Sequence, residues 1–206
     1  MTSAGTLKKQ IDELCKSDHR LKLVLHQVGY PDPRTRPPGY ATLLQIMVSQ
    51  QLSTKAAAAI WSKLEVLQSG EVTAQKIHDT PSELLRSCGF SGRKIEYAKS
   101  LADGVEKGGL DLFFSEQETT NEIIESLCEI RGVGRWTAEI YAMFALDRGD
   151  IYPAKDLALQ VAIQRYQELA YRPSEQEVSE IAMKWSPYQS AAALLMWKYY
   201  GAATLD

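Results

Sequence analysis

The sequence predicts an all-α protein, and three observations predict it. Helix-start signatures are plentiful, apolar residues recur with a period of about 3.6, and segments with strand-like alternation are poor. At ordinary helix and loop lengths, 206 residues accommodate about nine to eleven helices. The stretch from Tyr30 to Gly39 holds four of the eight prolines and cannot be helical. Residues 42–67 are rich in Ala, Leu and Ile, with Ser53 as the restart between two helices. Thr80-Pro81-Ser82-Glu83 reads as a capping box with proline at the first helical position, and Gly89 supplies the stop. Ile95, Ala98, Leu101, Ala102 and Val105 mark one helix face, and Lys107-Gly108-Gly109 ends it. Thr119 with Glu122, and Ser174 with Glu177, repeat the box. Ala158, Val161, Ala162, Tyr166 and Leu169 mark another helix. From Pro187 onward the chain is nearly all apolar, so the last helix should be buried on every side.

Composition excludes several classes. Hydrophobic residues make up 45% and charged residues 24%, which fits a globular chain and excludes disordered or collagen-like ones. No run approaches the ~20 apolar residues of a membrane span. Residues 1–8 are polar and lack a signal-peptide core, so an intracellular protein without membrane partners is expected. Cys15, Cys88 and Cys128 are far apart and odd in number, which argues against disulfides and an iron–sulfur cluster. The three histidines are scattered, which argues against zinc. No catalytic cofactor is expected. The net charge of −3 means that any nucleic-acid binding must rest on a local basic surface.

The most informative stretch runs from Leu127 to Ala138. A periodic helix (Ile123, Ile124, Leu127) enters Gly132-Val133-Gly134, and a second helix leaves it. Two glycines permit a tight turn and close backbone approach to another molecule. The first N–H groups of the second helix suit a phosphate, and Arg131 and Arg135 flank the turn with the right charge. Such a turn alone is more often a plain helix–helix corner. Framed by two compact helices, it looks like a helix-hairpin-helix DNA-binding motif.

Downstream comes Ile151-Tyr152-Pro153-Ala154-Lys155-Asp156-Leu157. Pro153 stiffens the approach and a helix follows, so Asp156 stands at a helix N-terminus. It reads as an N-cap, or as a rigid carboxylate that stabilises a developing sugar cation and orients a water.

The glycine turn followed at this distance by Pro153 and Asp156 resembles the helix-hairpin-helix, Gly/Pro-Asp (HhH-GPD) superfamily of DNA glycosylases. Within it the chain is similar to the 3-methyladenine DNA glycosylase II (AlkA-like) branch. Three segments carry the match: Ile46-Met47-Val48-Ser49-Gln50-Gln51-Leu52-Ser53, then Gly132-Val133-Gly134-Arg135-Trp136-Thr137-Ala138, then Trp185-Ser186-Pro187-Tyr188 leading into Trp197. The resemblance covers the chain from about Tyr40 onward and implies the compact, helical form without the β-rich N-terminal domain of larger relatives.

That resemblance implies one glycosylase unit over 1–206 with two lobes and the active-site cleft between them. The central lobe would span about 40–150 with the hairpin at 127–138, and 1–39 plus 151–206 would form the second. The implied activity is monofunctional hydrolysis of the N-glycosidic bond of alkylated purines in base excision repair, by base flipping and Asp-stabilised oxocarbenium chemistry. Asp156 would be catalytic, with Trp136 and Tyr188 in the base pocket. Trp136 stands where bifunctional members carry a lysine nucleophile, so no lyase activity is expected. Ile140 replaces a pocket tyrosine, and Tyr188 stands where a tryptophan is more usual. Gly132, Gly134, Arg135, Gln51, Phe90, Arg93, Lys94 and Lys155 would contact DNA, with Gln51 filling the gap left by the flipped base and Phe90 as the intercalating wedge. Main-chain carbonyls of Cys128, Ile130 and Val133 would hold a structural sodium or potassium ion. The partner would be double-stranded DNA with alkylated bases, met by a monomer in a bacterial nucleoid or a eukaryotic nucleus. A same-fold glycosylase for another damaged or mismatched base, or a non-catalytic DNA-binding protein, are the alternatives.

Overall fold

The computed structural model describes residues 3–202. Among them stand twelve α-helices and no strand: α1 Ala4–Ser17, α2 His19–Val28, α3 Tyr40–Ser49, α4 Thr54–Leu67, α5 Ala74–Asp79, α6 Ser82–Cys88, α7 Gly92–Glu106, α8 Thr120–Cys128, α9 Arg135–Phe144, α10 Leu157–Gln167, α11 Glu175–Ala182 and α12 Gln189–Ala202. A 3-10 turn, Met183–Trp185, precedes α12. The all-α class holds. The number of helices exceeds nine to eleven, because Asp18 both ends α1 and caps α2, splitting what could be one helix. None of these helices is long and apolar enough to cross a membrane. The chain forms two compact units, Arg36–Leu146 and the discontinuous pair Met1–Thr35 with Asp147–Asp206.

In the discontinuous unit, α12 packs against α1, α2 and α10. Its residues 191–196 are all buried, as an all-apolar helix requires. Asp18 ties the chain's early and late segments together. Its Oδ1 accepts the Arg20 and Leu21 N–H groups. Its Oδ2 accepts from the Tyr166 hydroxyl at 2.5 Å and Trp185 Nε1 at 3.0 Å, and lies 3.1 Å from Lys184 Nζ. Burial alone would raise the Asp18 pKa. The hydrogen bonds from Tyr166, Trp185 and Leu21, with Lys184, outweigh it and hold the carboxyl down at about 2.

In the central unit, α3 packs against α4, α7 and α9, with Leu43, Leu44 and Met47 buried. The hydroxyl of buried Tyr141 on α9 accepts the Gly39 N–H and donates to the Leu112 carbonyl, each at 2.7 Å. This pins the proline-rich entry to α3 onto α9. Ser53 caps α4, and the boxes at Thr119 and Ser174 form. The box expected at Thr80 does not. The Thr80 hydroxyl donates to the Lys76 carbonyl at 2.6 Å and accepts from Gln68 Nε2 at 2.8 Å, so α6 starts without a side-chain cap. Thr80 is buried and serves the end of α5 instead.

Candidate functional site

The hairpin belongs to the central unit. Helix α8 starts on its capping box and buries Ile123, Ile124 and Leu127. Two short turns follow, closed by Ile130 N–H to the Leu127 carbonyl (3.1 Å) and Val133 N–H to the Ile130 carbonyl (2.9 Å). The two glycines have different reasons to be glycine. Gly132 sits at φ +90°, and a Cβ there would lie 2.4 Å from the Tyr97 ring. Gly134 has an ordinary backbone conformation, and a Cβ there would meet nothing within 4 Å. It precedes α9 and offers no side-chain cap. The leading N–H groups of α9 therefore lack any cap from that position, and an anion can approach them over an atom-poor surface.

Charge around the turn is partly committed. Arg131 pairs with Glu96, and Arg135 Nε donates to Glu139 at 2.9 Å, with the Glu139 side chain only 7% exposed. Arg135 remains well exposed, as does Arg93 at the start of α7. Val133 is buried, and its apolar side chain anchors the turn between the glycines. Trp136 on the first turn of α9 is half-buried, and Ile140 one turn on is buried.

Two residues expected at DNA do other work. Phe90 is 2% exposed, so it is not a wedge. Gly89 ends α6 in the left-handed conformation, the Phe90 N–H bonds back to the Leu85 carbonyl, and the phenyl ring packs into the core as the apolar residue of a Schellman-type ending. Lys94 is not a phosphate ligand either. Its Nζ donates to the Val48 carbonyl at 2.6 Å and the Gln50 carbonyl at 3.0 Å. Burial lowers its pKa, which fits an ammonium turned inward. Gln51, in the turn that these bonds border, is exposed at φ +58°.

Asp156 belongs to the discontinuous unit. The turn Pro153–Asp156 closes through the Asp156 N–H and the Pro153 carbonyl (2.9 Å), and Asp156 then caps α10. Its Oδ1 accepts from the Leu159 N–H at 3.0 Å and from Trp197 Nε1 at 3.2 Å. The carboxylate is thus both N-cap and rigidly aimed group. Trp197 is the partner that sequence reasoning passed over. It lies on α12, where surrounding apolar residues mask one indole N–H, and the Arg34 guanidinium lies 5.5 Å from its ring centroid. Lys155 is exposed beside Asp156, and Tyr188 is half-buried just before α12.

Comparison with known proteins identifies the family. A family model described as "HhH-GPD superfamily base excision DNA repair protein" matches residues 44–188. The chain is 35% identical to DNA-3-methyladenine glycosylase 1 of Schizosaccharomyces pombe, over 94% of this chain and 87% of that protein. The solved structure of the 3-methyladenine DNA glycosylase Mag1 of that yeast with abasic DNA superposes with a TM-score of 0.86 at 33% identity, covering 92% of this chain and 95% of that one. The structure of a DNA-3-methyladenine glycosidase from Bacillus halodurans superposes with a TM-score of 0.80 at 31% identity, covering 100% and 94%. The family match and these relatives show that the chain belongs to the HhH-GPD superfamily of base excision DNA repair proteins.

Proposed function

We propose that the protein is a monofunctional DNA glycosylase that releases alkylated purines of the 3-methyladenine type from double-stranded DNA. The single observation that carries this is Asp156, held through Oδ1 by the Leu159 N–H and the Trp197 indole at the start of α10. The names of the relatives point to the same substrate class. An alkylated purine carries positive charge, so breaking the bond from C1′ to its nitrogen releases a neutral base. The sugar is left as an oxocarbenium ion, which the Asp156 carboxylate stabilises electrostatically. Water then adds at C1′ and loses its proton to the carboxylate or to solvent, leaving an abasic site. Trp136 offers an aromatic face to the cationic base, and Tyr188 a second one. No amine stands at position 136 to form a Schiff base.

The hairpin grips the backbone through the α9 N–H groups, with Arg135, Arg93 and Lys155 adding charge and Gln51 entering the gap left by the flipped nucleotide. The carbonyls of Cys128, Ile130 and Val133 would supply a neutral, hard oxygen set at the turn, where the Ile130 carbonyl also accepts the Val133 N–H. Such a set would suit a monovalent alkali cation, which would add positive charge for a phosphate. Acting on DNA, the protein works wherever the genome lies, and as a monomer.

The test is release of free base from duplex DNA treated with a methylating agent. The expected products are methylated purine and a strand that stays intact until alkali is added, with no crosslink trapped by borohydride. Cleavage with a trapped crosslink would overturn the monofunctional assignment, and absence of any base release would leave a DNA-binding protein without glycosylase activity.

A further inference from the structure

The turn that carries Gln51 is held from two sides by side chains that the proposed chemistry does not use. Helix α3 ends at Ser49, and its last carbonyls lack helical partners. Lys94 serves this end, its Nζ bonded to the carbonyl of Val48 within α3 and that of Gln50 just beyond it, at 2.6 and 3.0 Å. Lys94 is itself in the first turn of α7, where a cation meets the positive end of a helix dipole. Reaching to the carbonyl end of α3 replaces that unfavourable setting with a favourable one. On the other side, Gln50 Nε2 donates to Thr137 Oγ1 at 2.7 Å and to the Gly132 carbonyl at 3.2 Å. Thr137 is buried on α9, and Gly132 is the hairpin glycine wedged against Tyr97.

Between these anchors Gln51 adopts φ +58°, a left-handed conformation that a non-glycine residue holds only when its surroundings impose it. Short bonds close the chain on either side: Gln50 N–H to the Met47 carbonyl at 3.3 Å, and Leu52 N–H to the Ser49 carbonyl at 3.2 Å. Every element of this network lies within the central unit.

We propose that Lys94 and Gln50 are positioning residues that hold Gln51 in register with the phosphate-gripping hairpin, an inference that rests on the reading of Gln51 as the residue that enters the gap. Lys94 sets the backbone of the turn and Gln50 ties that turn to the hairpin. A hairpin seated on a phosphate therefore fixes where Gln51 meets the duplex. The two residues act through Gln51 and add nothing to the affinity for intact DNA.

The test uses the full chain, with a duplex containing a tetrahydrofuran abasic analogue and the matched undamaged duplex. The quantity read is the preference for the abasic duplex. Lys94→Met and Gln50→Leu keep shape and remove the donors. Each should lower the preference about tenfold, the size expected for a lost set of partly charged hydrogen bonds, while affinity for the undamaged duplex stays within about twofold. Lys94→Arg, which can still donate to both carbonyls, should restore most of the preference. Gln51→Ala should cause a loss of similar size, and adding Lys94→Met to it should cause no further loss. Losses that add, or an equal loss on both duplexes, would overturn the proposal, the second by returning Lys94 to a direct phosphate role. If Gln51→Ala lowers the preference but neither Lys94→Met nor Gln50→Leu does, the positioning roles fail alone. If Gln51→Ala leaves the preference unchanged, the gap-filling reading fails and the positioning roles fail with it. Should Lys94→Met not fold, Gln50→Leu decides the question by the same comparison.

Discussion

At Asp156, the cap of a helix and the proposed chemistry ask for the same geometry. Oδ1 accepts both the Leu159 N–H and the Trp197 indole N–H, and a carboxylate so fixed loses little freedom when a sugar cation forms beside it. The capping half was legible in the sequence, because Pro153 and the periodic run after Leu157 place a helix start there. Trp197 was not, since an indole donor some forty positions away leaves no local signal. Four residues before Asp156, Tyr152 presents the opposite case. It is buried beside Trp185, with ring centroids 5.4 Å apart, and its hydroxyl has no hydrogen-bond partner among the described residues. Burial first, then the Asp156 charge, drives its phenol far above the ordinary range. A buried hydroxyl without a partner costs about 1–3 kcal/mol. Tyr152→Phe should therefore leave stability unchanged or raise it by about 1 kcal/mol in urea denaturation. A loss of that size would mean that the hydroxyl is satisfied in solution.

At the scale of the element, the hairpin separates two kinds of glycine that look alike in the sequence. Gly132 is required by the fold, because its left-handed backbone and the Tyr97 ring at 2.4 Å leave no room for a Cβ. Gly132→Ala should cost about 2–4 kcal/mol, read as a drop in Tm or in the urea midpoint. A Cβ on Gly134 would meet nothing within 4 Å. Gly134→Asp should fold normally and lose about tenfold or more in affinity for any duplex, because its carboxylate would face the bound phosphate. A folded, fully binding Gly134→Asp would remove the hairpin from the interface. The hairpin itself was legible because its signal is local: two glycines between periodic helices. The loop at Cys88-Gly89-Phe90 also carried a local signal, an apolar residue directly after a C-terminal glycine, and that pattern means a buried Schellman ending. Resemblance to a wedge loop outweighed it and gave the wrong role for Phe90. Lys94 misled for another reason. A lysine beside an exposed arginine reads as surface charge, and only the fold brings the end of α3 within its reach.

At the scale of the whole molecule, the all-helical class and most helix starts followed from capping chemistry, while long-range ties such as Asp18 to Tyr166 and Trp185 did not. Asp18 makes stability depend on pH. Its folded pKa of about 2 lies below the ordinary aspartate value, so its contribution is fully present above roughly pH 4–5 and is lost as the pH falls through about 2. That contribution is roughly 1–2 kcal/mol after allowance for solvent screening. Asp18→Asn should flatten the acid limb of a stability-versus-pH curve, and an unchanged limb would show that Asp18 does not set it. Excision of alkylated bases through one carboxylate is the proposed chemistry. Its most direct measurement is single-turnover release of free purine from methylated duplex DNA, comparing the natural protein with Asp156→Asn. The asparagine keeps an oxygen that can accept from Leu159 and Trp197 and removes the charge. Release by the natural protein, slowed about a hundredfold or more in Asp156→Asn with binding to the duplex retained, is the predicted result. Equal release by both proteins would contradict it.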